Sequence, residues 1–309
     1  MLSRALQSIK TRNYEEGDYI HDEHQYISLI SDIIDYGEKV DGRNGTTLTV
    51  CGSAMHFSLE NDTIPLLTTK KVAWKTCLKE LLWFISGSTS NDVLQKQNVK
   101  IWNGNASREF LDSRGLNQLR ENDLGPVYGH QWRHFNASYV SCDDDYSGQG
   151  IDQLRWIIEQ LKDPKQRYSR RLVMSAWNPC QLEEMALPPC HVLVQFNVLP
   201  GNKLSCSLYQ RSGDVGLGVP FNIASYSFLT HLLAKHCGLQ AHEFNYHLGN
   251  CHIYDDHINP LREQIQRKPF KFPTVNLGER RDNINDYVVE DFDVSDYESH
   301  ACIKMEMRK

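Results

Sequence analysis

Apolar positions along the chain fall into two spacings. Tyr26, Leu29, Ile30 and Ile33 recur every three to four residues, which predicts an amphipathic helix, with Asp22 and Gln25 placed like a capping box at its start. Thr69 precedes a second helical stretch over 70–86 that Gly87 stops, and Ile151, Leu154, Ile158 and Leu161 mark a third over 151–162. A fourth helix is predicted from Asn222 to His236, ended by Gly238. Elsewhere the period is two. Residues 46–59 and 172–177 read as strands; Val192, Val194, Phe196 and Val198 alternate, as do Leu204, Cys206 and Leu208. Pro200-Gly201-Asn202 between the last two runs predicts a hairpin turn. Helices and strands interleave without a regular βαβ period. The expected fold class is therefore α/β in the mixed α+β sense: a single domain built on a large mixed β-sheet with surrounding helices. No GxGxxG or Walker sequence supports the nucleotide-binding folds that those motifs mark.

Composition narrows the setting. With 309 residues, 40% hydrophobic and 23% charged, the chain can bury a large core, and no repeat or Gly/Ser linker divides it. The net charge of -6 gives no basic excess for DNA, so any anion site must be built locally. No apolar run approaches the ~20 residues of a membrane span. Nine cysteines at irregular spacing, with no CxxC pair and no secretory h-region, point to a reducing compartment, the cytoplasm first, with mitochondrial or nuclear presence left open. Asn44, Asn61, Asn105 and Asn136 begin N-x-S/T triplets that read as coincidental without a secretory signal. Residues 1–21 are expected to be an N-terminal extension. Its Arg4, Lys10 and Arg12, with Leu2, Ala5, Leu6 and Ile9 at helical spacing, suit a mitochondrial presequence, an amphipathic lead-in helix or a tail.

Candidate chemistry begins with Cys190. In ALPPCHV two prolines precede it, fixing φ and removing two backbone donors, so the thiol is held in place at the head of a strand. A buried, inert thiol is the commoner fate of a free cysteine. The adjacent His191 adds little on this reading, because neighbours on a strand point to opposite faces. Arg211 in QRSGD has three readings: it lowers a thiol pKa, binds a phosphate, or forms a surface ion pair. Asp214 precedes a loop whose Gly216 and Gly218 let backbone approach a ligand. Glu80 lies in a broad apolar arc of Trp74, Cys77, Leu78, Leu81, Leu82, Phe84 and Ile85; it is either buried with a raised pKa or placed at the arc's edge and turned to water. Arg170 and Arg171, on opposite faces of an approaching strand, are solvated charges or serve a second subunit. Cys237, His242, His247, His252 and His257 recur every five residues, a period that fits neither helix nor strand, so no metal is expected.

Taken together, PLLTTKKVAW, ELLWF, DLGPVYGHQWRHF, SRRLVMSAWNP, ALPPCHV, LYQRSGDVGLGVPFNIASY, HIYDDHI and IKMEM resemble the thymidylate synthase family in content and order, over residues 22–309. The resemblance implies one large mixed sheet and a homodimer packed sheet against sheet. It implies reductive methylation of dUMP to dTMP with 5,10-methylenetetrahydrofolate as one-carbon and hydride donor, through a covalent Cys190–C6 adduct, with no metal. By the same resemblance Glu80 is the proton-relay acid, Tyr128 belongs to the C5 proton-transfer network, and Asn222 reads the uracil edge. Gln210, His252 and Tyr254 bind the nucleotide, the last two at the 3′-OH. Arg43, Arg211 and Ser212 bind the phosphate, with Arg170 and Arg171 reaching in from the partner. Trp102, Asn105, Asp214, Phe221 and Met307 line the folate site, Lys70 meets the folate tail, and Asp214 also belongs to the catalytic and nucleotide-binding set. With no reductase region before it, the fused form is not expected. The chain departs from the pattern in three places. The phosphate loop RTGTGT is RNGTT at 43–47, GDxHIY is GNCHIY with Asn250 and Cys251, and Arg308-Lys309 replace small apolar residues in the closing tail. The neighbouring reading is a pyrimidine hydroxymethylase of the same fold, against which Asn222 and Trp102 argue; an inactive RNA-binding relative is the reading from another class.

Overall fold

The computed structural model describes residues 21–42 and 44–308. The expectations for the N-terminal extension before His21 and for Arg43 fall outside the described residues.

Helix α1 (Glu23–Tyr36) buries Tyr26, Leu29, Ile30 and Ile33, as its spacing predicts. The capping box does not form. The Asp22 carboxylate instead accepts from the Ser58 N–H at 3.0 Å, and the Gln25 amide brackets both backbone groups of His56. Glu23 is fully buried and accepts from the backbone N–H and hydroxyl of both Thr68 and Thr69, at 2.6–2.8 Å. The stretch directly after Thr69 is not helical, and helix α2 (Trp74–Ile85) begins later than expected. After α2 come the short helices α3 (Asn91–Lys96), α4 (Arg108–Ser113) and α5 (Tyr128–His134). Helix α6 (Gln153–Lys162) is capped by Asp152, whose side chain accepts from the Arg155 N–H; Ile151 lies outside it and is exposed.

One six-stranded sheet organises the chain. Its strands are β1 (Glu38–Gly42), β2 (Gly45–Ser58), β3 (Val173–Ser175), β4 (His191–Leu199), β5 (Lys203–Asp214) and β6 (Gln240–Tyr254), in the order β1-β2-β6-β5-β4-β3. Every neighbouring pair is antiparallel except β5 and β6, which are joined by helix α7 (Gly218–Cys237). The predicted hairpin joins β4 to β5, with Gly201 and Asn202 at positive φ. Register carries the alternation across the sheet. Met174, Val194, Leu208, Tyr246 and Met55 form one lateral row, and Phe196, Cys206, Phe244 and Phe57 another, all buried. The opposite face carries Val173, Gln195, Ser207, Asn245 and His56, then Leu193, Tyr209, His247 and Ala54, all half-buried or exposed.

Helix α7 packs on the buried face against β5, β6 and α2. It is apolar nearly all round because it is covered on every side. The hydroxyls of Ser227 and Thr230 return to carbonyls one turn back. It starts at Gly218, four residues before the sequence suggests, and ends at Gly238 in the left-handed conformation (φ 69°, ψ 38°). Helix α8 (Ile258–Gln264) and a small hairpin of β7 (Thr274–Leu277) and β8 (Phe292–Ser295) complete the fold. No helix among the described residues is long and apolar enough to cross a membrane.

Candidate active site

The parallel pair places its carboxyl ends together, where Asp214 of β5 faces His252 of β6, and α7 begins just beyond. Ligands gather at such carboxyl ends of parallel strands. Asp214 Oδ1 accepts from the N–H groups of Gly216 and Leu217, closing the turn into α7. A Cβ on Gly216 would stand 2.8 Å from His257 Nδ1 and 3.3 Å from Met305 Sδ, so the close approach requires glycine here. Tyr26 Oη supports this turn by donating to the Val215 carbonyl. Lys70, expected at the folate tail, is buried with its ammonium donating inward to the Gly216 carbonyl. Burial lowers its pKa to about 8 against the pull of Asp214 and Glu23.

Cys190 is fixed from both sides. Its N–H donates to Tyr128 Oη at 2.7 Å, and its carbonyl accepts from the Arg211 N–H at 2.9 Å. The Arg211 guanidinium donates to the carbonyls of Pro189 (2.8 Å) and Pro188 (2.9 Å) and lies 5.6 Å over the Trp177 ring. Arg211 therefore supports the two-proline turn that presents the thiol. Burial raises the Cys190 pKa above the usual thiol value, and the Arg211 charge pulls it back only in part.

Of the two readings of Glu80, the buried one holds. Its carboxylate accepts from Trp102 Nε1 at 2.7 Å and is pushed up to about 7 by burial, the Trp102 hydrogen bond opposing. Trp102 also packs against Tyr128, with ring centroids 6.2 Å apart. Glu80, Trp102, Tyr128 and Cys190 thus form one continuous run of contacts.

His191 corrects the sequence reading. One extra residue on β4 between His191 and Leu193 slips the register against β5, so His191 pairs with Gln210 and is buried. Val192 is only half-buried, contrary to the alternation. His191 Nε2 lies 2.7 Å from Asn222 Nδ2, and its ring packs on Tyr128 and Tyr226. Burial lowers its pKa to about 4, so near neutrality the ring is uncharged and Nε2 accepts from the Asn222 amide. The Asn222 carbonyl faces Tyr246 Oη at 3.5 Å; that hydroxyl donates to Gln210 Oε1 at 2.6 Å, and Gln210 Nε2 donates to the Ser212 carbonyl. Tyr246 alternates with Phe244 and Leu248 along β6, a pattern that marks core positions and carries no signal of a site. The bulge at His191 has no signal in the sequence.

His252 Nδ1 pairs with Asn250 Oδ1 at 2.9 Å, so the departure at Asn250 supplies a partner. The Tyr254 ring lies 5.3 Å from His252. Other expected residues stand apart. Arg170 and Arg171 are exposed, with no side-chain hydrogen bond or ion pair among the described residues. Met307 is 54% exposed, while Asn105, Ser212 and Phe221 are half-buried. Among the described residues no three His, Cys, Asp or Glu side chains converge to hold a metal.

The thymidylate synthase family model matches residues 24–309. Human thymidylate synthase is 52% identical over 93% of this chain and 91% of its own length. The Saccharomyces cerevisiae thymidylate synthase is 50% identical over 93% of this chain and 97% of its own. A bifunctional dihydrofolate reductase-thymidylate synthase of Leishmania major is 50% identical over 93% of this chain, which spans 55% of that protein. A matching motif order, a buried carboxylate linked through Trp102 and Tyr128 to a positioned thiol, and this identity over nearly the whole length together place the chain in the thymidylate synthase family.

Proposed function

We propose that the chain methylates dUMP to dTMP with 5,10-methylenetetrahydrofolate as co-substrate. The observation that carries this is the joining of Cys190, held by Tyr128 and Arg211, to an Asn222 whose amide His191 orients. The Cys190 thiolate adds to C6 of the uracil, forming an S–C bond and moving the C5–C6 electron pair toward O4, which makes C5 nucleophilic. Asn222 donates to O4 and accepts from N3–H, because its other N–H is already committed to His191. Glu80, balanced at about 7, gives and takes a proton near O4 through water. Tyr128 accepts from the Cys190 N–H, which leaves its own O–H to hold the water through which the C5 proton passes to bulk solvent. When bound, the folate supplies the one-carbon unit at C5 and the hydride that reduces it, leaving dihydrofolate. The S–C6 bond then breaks and its electron pair returns to sulfur.

The donor set suits both ligands. Arg211 keeps donors beyond the two proline carbonyls for a phosphate, joined by Ser212 and Arg43, while His252 and Tyr254 hold the sugar. Trp102, Phe221, Asn105 and the partly exposed Asp214 carboxylate offer aromatic and polar edges to the folate ring, with Met307 beside the tail. The uncovered sheet face, with Val173, Leu193 and Tyr209 each 37–42% exposed, supports a homodimer through that face. Arg170 and Arg171, beside it and unpaired among the described residues, then supply charge to the partner's phosphate site. Nine free cysteines, none in a disulfide, fit the cytoplasm.

The test is incubation with 5-fluoro-dUMP and methylenetetrahydrofolate, followed by intact-protein and peptide mass measurement. Fluorine cannot leave as a proton does, so a covalent ternary complex on the Cys190 peptide is expected. Absence of any adduct, or an adduct elsewhere, would overturn the reading.

A further inference from the structure

The last residues of the chain run back across the molecule in a series of discrete attachments. Tyr297 Oη donates to the Leu67 carbonyl and accepts from the Val72 N–H. The His300 N–H donates to the Thr68 carbonyl, and Arg267 donates to the Ala301 carbonyl. Met305 then lies against Gly216, and the Glu306 carbonyl accepts from His257 Nε2 at 2.8 Å. Near the Gly216 turn the strap is held by the His257–Glu306 hydrogen bond and the Met305 thioether contact. Arg308 follows. Its Nη2 is 2.7 Å from Asp256 Oδ1 and 3.5 Å from Asp255 Oδ1, and its guanidinium lies 5.5 Å over the Tyr254 ring.

We infer that Arg308 is a positioning residue: it fastens the C-terminal strap to residues 254–256 and so holds Met305 on the Gly216 turn beside the folate site. The physical case rests on where the three contacts converge. Asp255 and Asp256 are adjacent like charges, and one guanidinium meets both while covering the ring that precedes them. Those residues follow directly on β6, which carries His252 and Tyr254. The strap is thereby tied to the sheet end that carries the sugar-binding residues. Gly216 meets Lys70 through its carbonyl and Met305 at its Cα, so loosening the strap removes one of the contacts on the turn that Asp214 closes. The Arg308 side chain is 34% exposed, so its ion pairs are of the weak, solvent-screened kind. That Arg308 acts on folate binding rests on the proposed synthase activity; that it fastens the strap does not.

The experiment uses the full-length protein and the variants Arg308→Gln, Arg308→Lys, Asp256→Asn and the Arg308→Gln/Asp256→Asn double variant. Hydrogen–deuterium exchange of the peptide spanning 297–309, without ligands, reads the strap directly. Steady-state kinetics give kcat and separate KM values for dUMP and methylenetetrahydrofolate. Arg308→Gln is expected to speed exchange of the strap and raise the folate KM by ~3–5-fold, the scale of a partly exposed ion pair. kcat and the dUMP KM should stay within about twofold, and Arg308→Lys should recover part of the loss. The double variant should be no worse than either single one, because both remove the same contact. The difference from wild type should shrink in 0.5 M salt as the ion pairs are screened. Unchanged strap exchange in Arg308→Gln would overturn the latch. Faster exchange with an unchanged folate KM would overturn its positioning role. If wild type itself turned over no dUMP, the activity reading would fall while exchange still decided the latch.

Discussion

Replacing Glu80 with glutamine tests how far the site is built against stability. Glu80 is 7% exposed and its pKa is raised from 4.5 to about 7, chiefly by burial. Below about 4.5 both folded and unfolded chains carry the proton, and nothing is lost. Between 4.5 and 7 the unfolded chain releases the proton while the folded chain keeps it, so stability falls as pH rises through that window. Above 7 both forms are ionised and the full penalty is present, about 3 kcal/mol as an upper value at ~1.4 kcal/mol per pKa unit. Glutamine is neutral throughout, and its carbonyl can still accept from Trp102 Nε1 at the 2.7 Å position. The variant should therefore match wild type in thermal stability near pH 5 and exceed it near pH 8. For 309 residues the unfolding entropy makes ~3 kcal/mol worth roughly 5 °C in Tm. The assay is Tm by calorimetry or circular dichroism across pH 5–8 for both proteins, with turnover measured alongside. Turnover should fall steeply, since glutamine relays no proton. A Tm difference independent of pH, or of the opposite sign at pH 8, would refute the claim that an ionised, buried Glu80 costs stability.

Three further outcomes are expected. Cys190→Ser should abolish methylation while dUMP still binds measurably by calorimetry, because nucleophilicity rather than shape is lost; near-normal turnover would remove Cys190 from the mechanism. Asn222→Asp should lose dUMP turnover and gain on dCMP, since a protonated carboxyl donates to cytosine N3. A buried group left unpaired by the wrong base costs about 1–3 kcal/mol, so the ratio of kcat/KM values should move roughly 5- to 150-fold, and an unmoved ratio would mean that Asn222 does not read the base. Mixing an Arg170→Ala/Arg171→Ala chain with a Cys190→Ala chain, each inactive alone, should restore activity in heterodimers; none in verified heterodimers would refute shared sites.

Sequence periodicity reached the elements because periodicity is local. The stripe of α1, the alternation along β4 from Val194 onward and along β5, and Gly238 at the end of α7 are properties of neighbouring residues, and each forms where its pattern predicts. Motif order likewise identified the family and named Cys190, Glu80 and Asn222 as candidates, because identity at a position survives in the chain as written. What stayed hidden depends on contacts between distant segments. A helix is expected directly after Thr69, whose donors are instead taken by Glu23, 46 residues earlier. His191 reads as pointing away from the site until a single extra residue on β4 slips the ladder and brings it to Asn222. Whether Glu80 was buried or at the edge of its arc turned on Trp102 and the helices packed around it. Lys70 turns inward because the Gly216 carbonyl meets it there, and Arg308 finds Asp255, Asp256 and Tyr254 only because the strap returns across the molecule. A residue's type and its local period are written in the chain; the dielectric around it and the partner it meets are set by packing, and the protonation and orientation of this site follow from those.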